Sequence, residues 1–266
     1  MKKLIFLLIL FSFLKPLIGC SVFSIGNDHL SFGAGNKDWH NLNTRILTIP
    51  ADSTNFARIY FGYQIPQGFQ NVCGINEHGL WYEGASLPER TDVQNYFNKP
   101  TISGELCEKA LKECTTVGEV VQLYSTYFTP HWNGHSMWAD PNGNSVIIEF
   151  GETDVVFIYP QNNFQVMTNF YIQDPEMFSW YNTYRFDVAM QLLDEIEIIN
   201  YCNLAEILDA VHQEGTEPTL FSNVYDLKNN IVYIYNFHNY DEYVLLDADE
   251  LMIADNIMPP KIRTGI

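Results

Sequence analysis

The sequence has few basic residues for its size. Its 266 residues include 14 lysines and arginines against 32 aspartates and glutamates, so the formal net charge is −18. Proteins that bind nucleic acid usually present a basic surface, and we therefore expect no nucleic-acid partner. The same acidity disfavours adhesion to anionic lipid headgroups, but it leaves the chemistry of an internal pocket open.

Long apolar runs are also scarce. The longest, at 4–14, is interrupted only by Ser12 and is too short for a bilayer, which takes about 20 residues. Lys2 and Lys3 precede this run, and Leu-Ile-Gly-Cys follows it at 17–20, which is the pattern of a secretory signal. We expect residues 1–19 to be removed, the protein to be exported to the periplasm or medium, and no transmembrane helix.

The rest of the chain lacks any obvious division. No stretch rich in proline, glycine and serine, no low-complexity block and no repeat separates one part from another. Hydrophobic residues make up 47% of the chain and aromatic residues 15%, so a large core is available and disorder is not expected. We predict one domain over residues 20–266.

Cysteines are few and their number is odd: Cys20, Cys73, Cys107, Cys114 and Cys202. Export permits disulfides, but Cys107 and Cys114 lie on one predicted helix. Their separation along its axis is roughly 10 Å, which is too long for a disulfide, and the other pairings stay open. An odd count suggests one thiol with a separate task. Cys20, the first residue after the predicted cut, is the natural candidate.

The pattern of apolar residues predicts strands, then helices, strands, helices and strands again. This order favours a layered α+β domain over a parallel βαβ repeat. Strands are predicted at 20–23, 30–32, 45–49, 57–63, 80–82, 135–139, 145–150, 155–159, 165–168, 219–226 and 231–237. Helices are predicted at 105–113, 117–127, 184–196 and 204–211. A turn at 26–28 between the first two strands predicts a hairpin, and Thr116 with Glu119 three residues later predicts the cap of the second helix. A turn is also predicted at 74–79, and the aromatic run at 233–243 predicts a packed edge hairpin.

Cys20 at a new N-terminus would carry a thiol and an α-amine on one residue. Thiolate is the reactive form of cysteine. The unperturbed pKa of an α-amine, about 7.7–8.0, suits it for general-base work near neutral pH. Such a residue can attack an amide carbonyl, form an acyl-thioester and release it to water. Removal of the signal would therefore also be activation.

Six stretches in order resemble the choloylglycine hydrolase and penicillin V acylase group, which are linear-amide hydrolases of the N-terminal nucleophile (Ntn) superfamily. They are Cys-Ser-Val-Phe at 20–23, Phe-Gly-Ala-Gly-Asn-Lys-Asp-Trp at 32–39, Gly-Ile-Asn-Glu-His-Gly-Leu at 74–80, Met-Thr-Asn-Phe at 167–170, Tyr-Arg-Phe at 184–186 and Phe-Ser-Asn-Val-Tyr-Asp at 221–226. The resemblance implies a four-layer αββα fold and a small N-acyl amide as substrate. We expect no cofactor.

The resemblance also implies roles for five residues. Cys20 would be nucleophile and base together, and Asp38 would accept a hydrogen bond near its amine and orient it. The side-chain amide of Asn169 and the backbone N–H of Ser86 would bind the developing oxyanion. Arg185 would lie near the nucleophile and stabilise charge.

Gly35 departs from the pattern, because better-known members have an arginine immediately before the Asn-x-Asp. We do not expect Lys37 to replace that arginine simply, on the ground that strand neighbours face opposite sides. The departure disfavours bile salts and penicillins as substrates.

Residues 17–20 also match a bacterial lipobox. Under that interpretation Cys20 carries lipid, both catalytic groups are consumed, and the protein is a surface or outer-membrane lipoprotein without catalysis. A third hypothesis is an acyltransferase, since the same thioester can pass its acyl group to an amine. The sequence leaves the oligomeric state undetermined.

A metal site is suggested only by the pair His131 and His135. Pro130 and Gly134 argue against a helix that would align the two imidazoles. A zinc site needs three or four ligands, and no further cluster stands out along the sequence. We therefore predict no metal site.

Overall fold

The computed structural model describes residues 19–90, 99–128, 134–178 and 181–253, and within these ranges the chain forms two antiparallel sheets and five helices. The strands are β1 Ser21–Gly26, β2 Ser31–Asp38, β3 Thr44–Ile49, β4 Arg58–Ile65, β5 Gly68–Asn76, β6 Trp81–Ser86, β7 Gly134–Ala139, β8 Ser145–Phe150, β9 Val155–Ile158, β10 Phe164–Met167, β11 Thr219–Asp226, β12 Ile231–Asn236 and β13 Asn239–Asp247. The helices are α1 Leu106–Glu113, α2 Val117–Thr126, α3 Tyr184–Asp194, α4 Tyr201–Ala210 and α5 Ala248–Ile253. No helix in this part of the chain is long and apolar enough to cross a membrane.

The first sheet has the strand order β10-β1-β2-β11-β12-β13. β1 and β2 pair antiparallel with Val22 opposite Gly35, which confirms the hairpin predicted at the start of the domain. β11 then pairs with β2 and places Ser222 opposite Asn36. β12 and β13 form the edge hairpin predicted from the aromatic run.

The second sheet is a meander from β3 to β9 in which each strand lies beside the next one in sequence. β5 was not predicted. The turn predicted at 74–79 is present only in its second half, where the Gly79 N–H donates to the Asn76 carbonyl at 2.9 Å. Residues 74–76 belong to β5 instead, because the ladder to β4, with Ile75 opposite Ile59, extends the strand to Asn76. The Asn76 side chain donates to the carbonyls of Leu111 and Cys114, so its amide is satisfied in the interior.

Three hydrophobic clusters divide the domain into four layers. One cluster fills the space between the sheets, where Phe61 and Tyr225 meet edge to face with ring centroids 5.8 Å apart. A second joins α1 and α2 to the outer face of the second sheet. The third joins α3 and α4 to the outer face of the first sheet. The α+β class and the αββα order of layers are therefore confirmed.

The helices follow local signals that the sequence already contains. Thr116 caps α2: its side chain accepts from the backbone N–H of Glu119, and the Glu119 carboxylate accepts from the backbone N–H of Thr116. This is the capping box that a Thr-x-x-Glu pattern predicts. α4 begins at Tyr201, earlier than predicted, because the Asn200 side chain caps it. α5 was not predicted.

All five cysteines lie within the described residues and none is paired. The prediction that Cys107 and Cys114 do not bond to each other is confirmed. Burial raises the pKa of Cys73, Cys107 and Cys114 to about 12, so these thiols are protonated and unreactive.

Candidate active site

The predicted catalytic residues come from four elements. Cys20 immediately precedes β1, Asp38 ends β2, Asn169 follows β10, and Arg185 lies in the first turn of α3. β1 runs antiparallel to both β2 and β10, so its first residue lies beside the last residues of both neighbours. The strand order alone therefore brings Cys20, Asp38 and Asn169 together at one end of the strands of the first sheet.

Arg185 joins these residues. Its guanidinium hydrogen-bonds five groups. Nη1 donates to the Gly19 carbonyl at 2.7 Å, Ser21 Oγ at 3.0 Å and Asp38 Oδ2 at 3.0 Å, and Nη2 donates to Tyr181 OH at 3.1 Å and Asn169 Oδ1 at 3.2 Å. Five donors in a rigid planar fork are what arginine supplies and lysine does not. Arg185 thus fixes the side chains of Asp38 and Asn169 relative to Cys20.

Asp38 is buried and has two partners. Arg185 donates to Oδ2, and the hydroxyl of Thr219 donates to Oδ1. Burial raises the pKa of Asp38 to about 6, against the lowering effects of the Arg185 charge and the Thr219 hydrogen bond. The carboxyl is therefore ionised at neutral pH and can accept a hydrogen bond from a nearby amine.

The Cys20 side chain lies where several charges act on it. Burial raises the pKa of its thiol, the positive charge of Lys37 lowers it, and the negative charge of Asp38 raises it. A hydrogen bond from the backbone N–H of Asp38 also favours the thiolate. The nitrogen of Cys20 is still an amide in this chain, since Gly19 precedes it; cleavage would turn it into the α-amine.

Gly19 itself is buried against the other site residues. A Cβ at this position would lie 1.7 Å from Oδ1 of Asn169 and 2.7 Å from Nη2 of Arg185. Only glycine fits there with the site assembled. While Gly19 is attached, it occupies the space in front of Asn169, and its removal opens that space.

Asn169 and Ser86 lie together, as the sequence predicts. The Asn169 side chain donates one of its two amide hydrogens to the carbonyl oxygen of Ser86 at 2.8 Å, and the second hydrogen remains available to a ligand. This hydrogen bond is accepted by the backbone carbonyl of Ser86, at the end of β6. The role of its backbone N–H as an oxyanion donor stays a prediction.

Lys37 forms a buried ion pair that the sequence did not reveal. Its Nζ lies 2.7 Å from Oε1 of Glu83 on the facing sheet, and neither side chain is exposed. Nζ also donates to the Gly84 carbonyl at 3.3 Å.

The Lys37–Glu83 pair accounts for the absence of an arginine at position 35. Gly35 and Lys37 are two residues apart on β2 and so face the same side. The expectation that Lys37 lies on the opposite face is wrong, because strands alternate with a period of two. A Cβ at Gly35 would lie 1.5 Å from Oε1 of Glu83. Glu83 thus occupies the space of a side chain at 35, and Lys37 supplies the positive charge.

The charge state of the pair follows from its burial. Burial acts to lower the pKa of Lys37, but the Glu83 carboxylate and the Cys20 thiolate raise it above its ordinary value, so Lys37 stays protonated. Burial raises the pKa of Glu83 to about 7 despite the Lys37 charge. Lys37 therefore carries a positive charge beside Cys20, and the Glu83 carboxylate, when ionised, opposes its effect on the pKa of the thiol.

A cavity of about 550 Å³ opens from this site. It begins at Cys20, Asp38 and Ser86 and extends between β5, β6 and α1. Its apolar and aromatic lining comprises Trp39, Tyr63, Ile65, Phe69, Val72 and Tyr82, and carboxylates from Glu105 and Glu108 lie at the α1 end. The cavity suits an elongated ligand with an apolar body.

The two histidines weighed as metal ligands in the sequence are His131 and His135. His131 lies outside the described residues. His135 is buried on β7, with one ring nitrogen 2.9 Å from Oε1 of Glu149 and the other bonded to the Thr168 carbonyl. It therefore holds the residue immediately before Asn169.

Cys20 thus lies at the start of an inner strand of a four-layer αββα domain, the arrangement that the sequence resemblance implies. No family model matches the chain, and no curated protein matches it in sequence. Among solved structures, a variant of the conjugated bile acid hydrolase from Clostridium perfringens has a TM-score of 0.71 at 16% identity, covering 89% of this chain and 95% of its own.

Two further structures share the fold at 16% identity. Penicillin V acylase from Agrobacterium tumefaciens has a TM-score of 0.63 with 82% of each chain covered. The Caenorhabditis elegans ortholog of N-acylethanolamine-hydrolyzing acid amidase has a TM-score of 0.54, covering 79% of this chain and 93% of its own. The fold implied by the sequence resemblance is therefore confirmed.

Proposed function

We propose that the chain beginning at Cys20 is an exported cysteine amidase that cleaves a linear carbon–nitrogen amide bond in a small N-acyl substrate. The observation that carries this proposal is the convergence of Cys20, Asp38, Asn169 and Arg185, of which Cys20 and Asp38 line the cavity. Each of these side chains comes from a different element.

In the first step the α-amine of Cys20 takes the thiol proton, and the thiolate attacks the substrate carbonyl. Asp38 accepts a hydrogen bond from the resulting ammonium and orients it, and Lys37 favours the thiolate by its charge. The free amide hydrogen of Asn169 binds the oxyanion, with the backbone N–H of Ser86 as the second donor. The C–N bond then breaks, and the leaving amine takes the proton from the ammonium.

In the second step a water molecule attacks the acyl-thioester. The α-amine of Cys20 takes one proton from the water, the C–S bond breaks, and the proton returns to the sulfur. The products are a carboxylic acid and the free cysteine. An amine in place of water would give acyl transfer through the same intermediate, and product analysis with and without added amine separates the two outcomes.

The six aromatic and aliphatic side chains that line the cavity favour an apolar acyl group. Conjugated bile acids, penicillin V and N-acylethanolamines are the amides named for the three similar structures, and they belong in a first screen beside other N-acyl amides. We expect conjugated bile acids and penicillin V to be poor substrates, because Glu83 fills the space that a side chain at position 35 would occupy.

The test begins with the intact mass of the mature protein from its native host. A mass matching an unmodified chain from Cys20, together with hydrolysis of an N-acyl amide that Cys20→Ser abolishes, supports the proposal. Cys202→Ser is the matched control, since Cys202 is exposed and no part of the site. Trapping of an acyl group on the peptide that begins with Cys20 would identify the intermediate.

The lipoprotein hypothesis predicts the opposite results. A mass higher by a lipid moiety, and loss of membrane attachment in Cys20→Ser without any change in hydrolysis, would overturn the amidase proposal.

A further inference from the structure

A second group of titratable side chains lies beyond Asp38, on the far side of Thr219. His212 and Glu214 follow α4, and His238 lies in the turn between β12 and β13. One ligand atom from each of these three residues lies within 4.8 Å of the other two. His238 is distant from His212 and Glu214 in the sequence, so the three residues come together only in the folded chain.

His212 is held as metal-binding histidines usually are. Its Nδ1 donates to the backbone carbonyl of Asp209 and lies 3.1 Å from Oδ1 of the Asp209 carboxylate. This bond leaves Nε2 as the nitrogen without a proton, and Nε2 lies 3.7 Å from Oε1 of Glu214. A carbonyl or carboxylate on one ring nitrogen and a metal on the other is the common arrangement in zinc sites.

His238 supplies an independent observation. Its Nε2 is buried, and no described residue hydrogen-bonds it. Its ring centroid lies 4.3 Å from that of His212. The preceding residue, Phe237, has a φ of 53° and stacks on His238 with centroids 4.0 Å apart. A left-handed φ is rare for a bulky residue and is often kept for function, and a buried unpaired nitrogen calls for a partner.

We propose that His212, Glu214 and His238 bind a divalent transition-metal ion, for which Zn²⁺ is the best fit. Two imidazoles and a carboxylate are a zinc donor set, with bonds of about 2.0–2.2 Å and a water in the fourth position. The three donors must move closer than their present spacing. Glu214, whose side chain is 81% exposed, is free to rotate towards the two imidazoles.

A metal at this position would fasten the loop after α4 to the β12–β13 turn. That loop supports Asp38: Gln213 donates its backbone N–H to Thr219 Oγ1 at 2.9 Å and accepts from the Thr219 N–H at 2.8 Å. The Thr219 hydroxyl in turn donates to Asp38. Metal binding should therefore stabilise the folded chain at the Asp38 end of the site. It does not require the amidase activity proposed above.

The test is titration of the chain beginning at Cys20 with Zn²⁺, by calorimetry and by thermal unfolding, after a chelator has been applied and removed. We expect one equivalent to bind and the melting temperature to rise. His212→Gln and His238→Gln should each abolish this binding, and Asp209→Asn should weaken it about 10–100-fold, since it removes the carboxylate behind His212.

Two controls distinguish the site from other donors. His78→Gln removes a histidine that has a single carboxylate, Glu77, 4.0 Å away, and it should leave the titration unchanged. Cys202→Ser tests the exposed thiol and should also change nothing. Co²⁺ serves as a spectroscopic probe, because binding through nitrogen and oxygen lacks the sulfur charge-transfer band that thiolate ligands produce.

The proposal is overturned if the unaltered chain binds no Zn²⁺, or if His212→Gln and His238→Gln bind it as tightly as the unaltered chain does. Circular dichroism checks that the variants fold. Glu214→Gln keeps the test decisive even if a histidine variant unfolds, because this exposed side chain has no packing role. We expect Glu214→Gln to bind Zn²⁺ at least tenfold more weakly. An affinity equal to that of the unaltered chain would count against the site.

Discussion

The buried pair Lys37–Glu83 should make the chain sensitive to the loss of either charge. The perturbation is Lys37→Met, which keeps the length of the side chain and removes its charge. Both side chains are fully buried and their charged atoms lie 2.7 Å apart. Removing one partner of a buried pair typically costs about 3–5 kcal/mol, because the other charge is left without compensation. Glu83 can avoid part of that cost by taking up a proton, since its pKa is already raised to about 7 by burial.

We therefore expect Lys37→Met to lower the free energy of unfolding by about 3 kcal/mol, the lower end of that range. The matched control is Lys109→Met, which removes an exposed pair with Glu113 one helical turn away. Such pairs contribute about 0.3–0.5 kcal/mol. The double variant Lys37→Met with Glu83→Met should recover most of the loss, since replacing both charges by apolar side chains of similar volume is often neutral.

The assay is urea unfolding of the chain beginning at Cys20, with stability taken from the midpoint at constant slope. Alkylation of Cys20 by iodoacetamide, followed across pH by peptide mass spectrometry, reports the acidity of the thiol. We expect its pKa to rise in Lys37→Met, because the positive charge that lowers it is lost. A loss of stability below 1 kcal/mol together with an unchanged alkylation profile would refute the reasoning.

Three further predictions follow from the site. Asn169→Ala should lose about 2.7–4 kcal/mol of transition-state stabilisation, measured by steady-state kinetics. Thermal unfolding should show a melting temperature within a few degrees of the unaltered chain. Activity within tenfold of the unaltered enzyme would exclude the oxyanion role. Burial raises the pKa of Asp38 to about 6, so the folded chain keeps a proton that the unfolded chain releases near pH 4. Stability should then fall by up to about 3 kcal/mol as pH rises from 4 to 6 while activity rises. Urea unfolding of Asp38→Asn should show a shallower slope, and the part that remains comes from Glu83, whose pKa burial raises to about 7. A chain that retains Gly19 should be inactive, because it has no free α-amine and fills the space at Asn169; turnover by a chain whose mass shows Gly19 still present would contradict this.

The departure at Gly35 shows how a charge can be supplied from another position of the same strand face. The similar proteins known from the sequence resemblance place an arginine there, whereas this chain places Glu83 of the facing sheet against the Gly35 backbone and a lysine two residues further along. Lys37 thus supplies a positive charge on the strand face where those proteins have the arginine. The Lys37→Met experiment tests that assignment directly.

Local patterns in the sequence determined most of the elements, and its motifs indicated the residues of the candidate site. Alternating apolar residues predicted the β1–β2 hairpin, and Thr116 with Glu119 predicted the start of α2. The motifs around Cys20, Asp38, Asn169 and Arg185 predicted residues that the structure brings together. These features depend on neighbours within a few residues, which a sequence displays directly.

Only the tertiary structure decided which distant residues meet. The bonds that Asp38 receives from Arg185 and Thr219 span 147 and 181 residues, and they depend on the antiparallel order of strands and on the packing of α3. The pairing of Lys37 with Glu83 needed the two sheets to face each other, and His238 reaches His212 only because a turn of the first sheet lies beside the end of α4. Burial then set the charges: no local pattern indicates that an aspartate will have a pKa near 6, because the effect comes from exclusion of water by the folded chain.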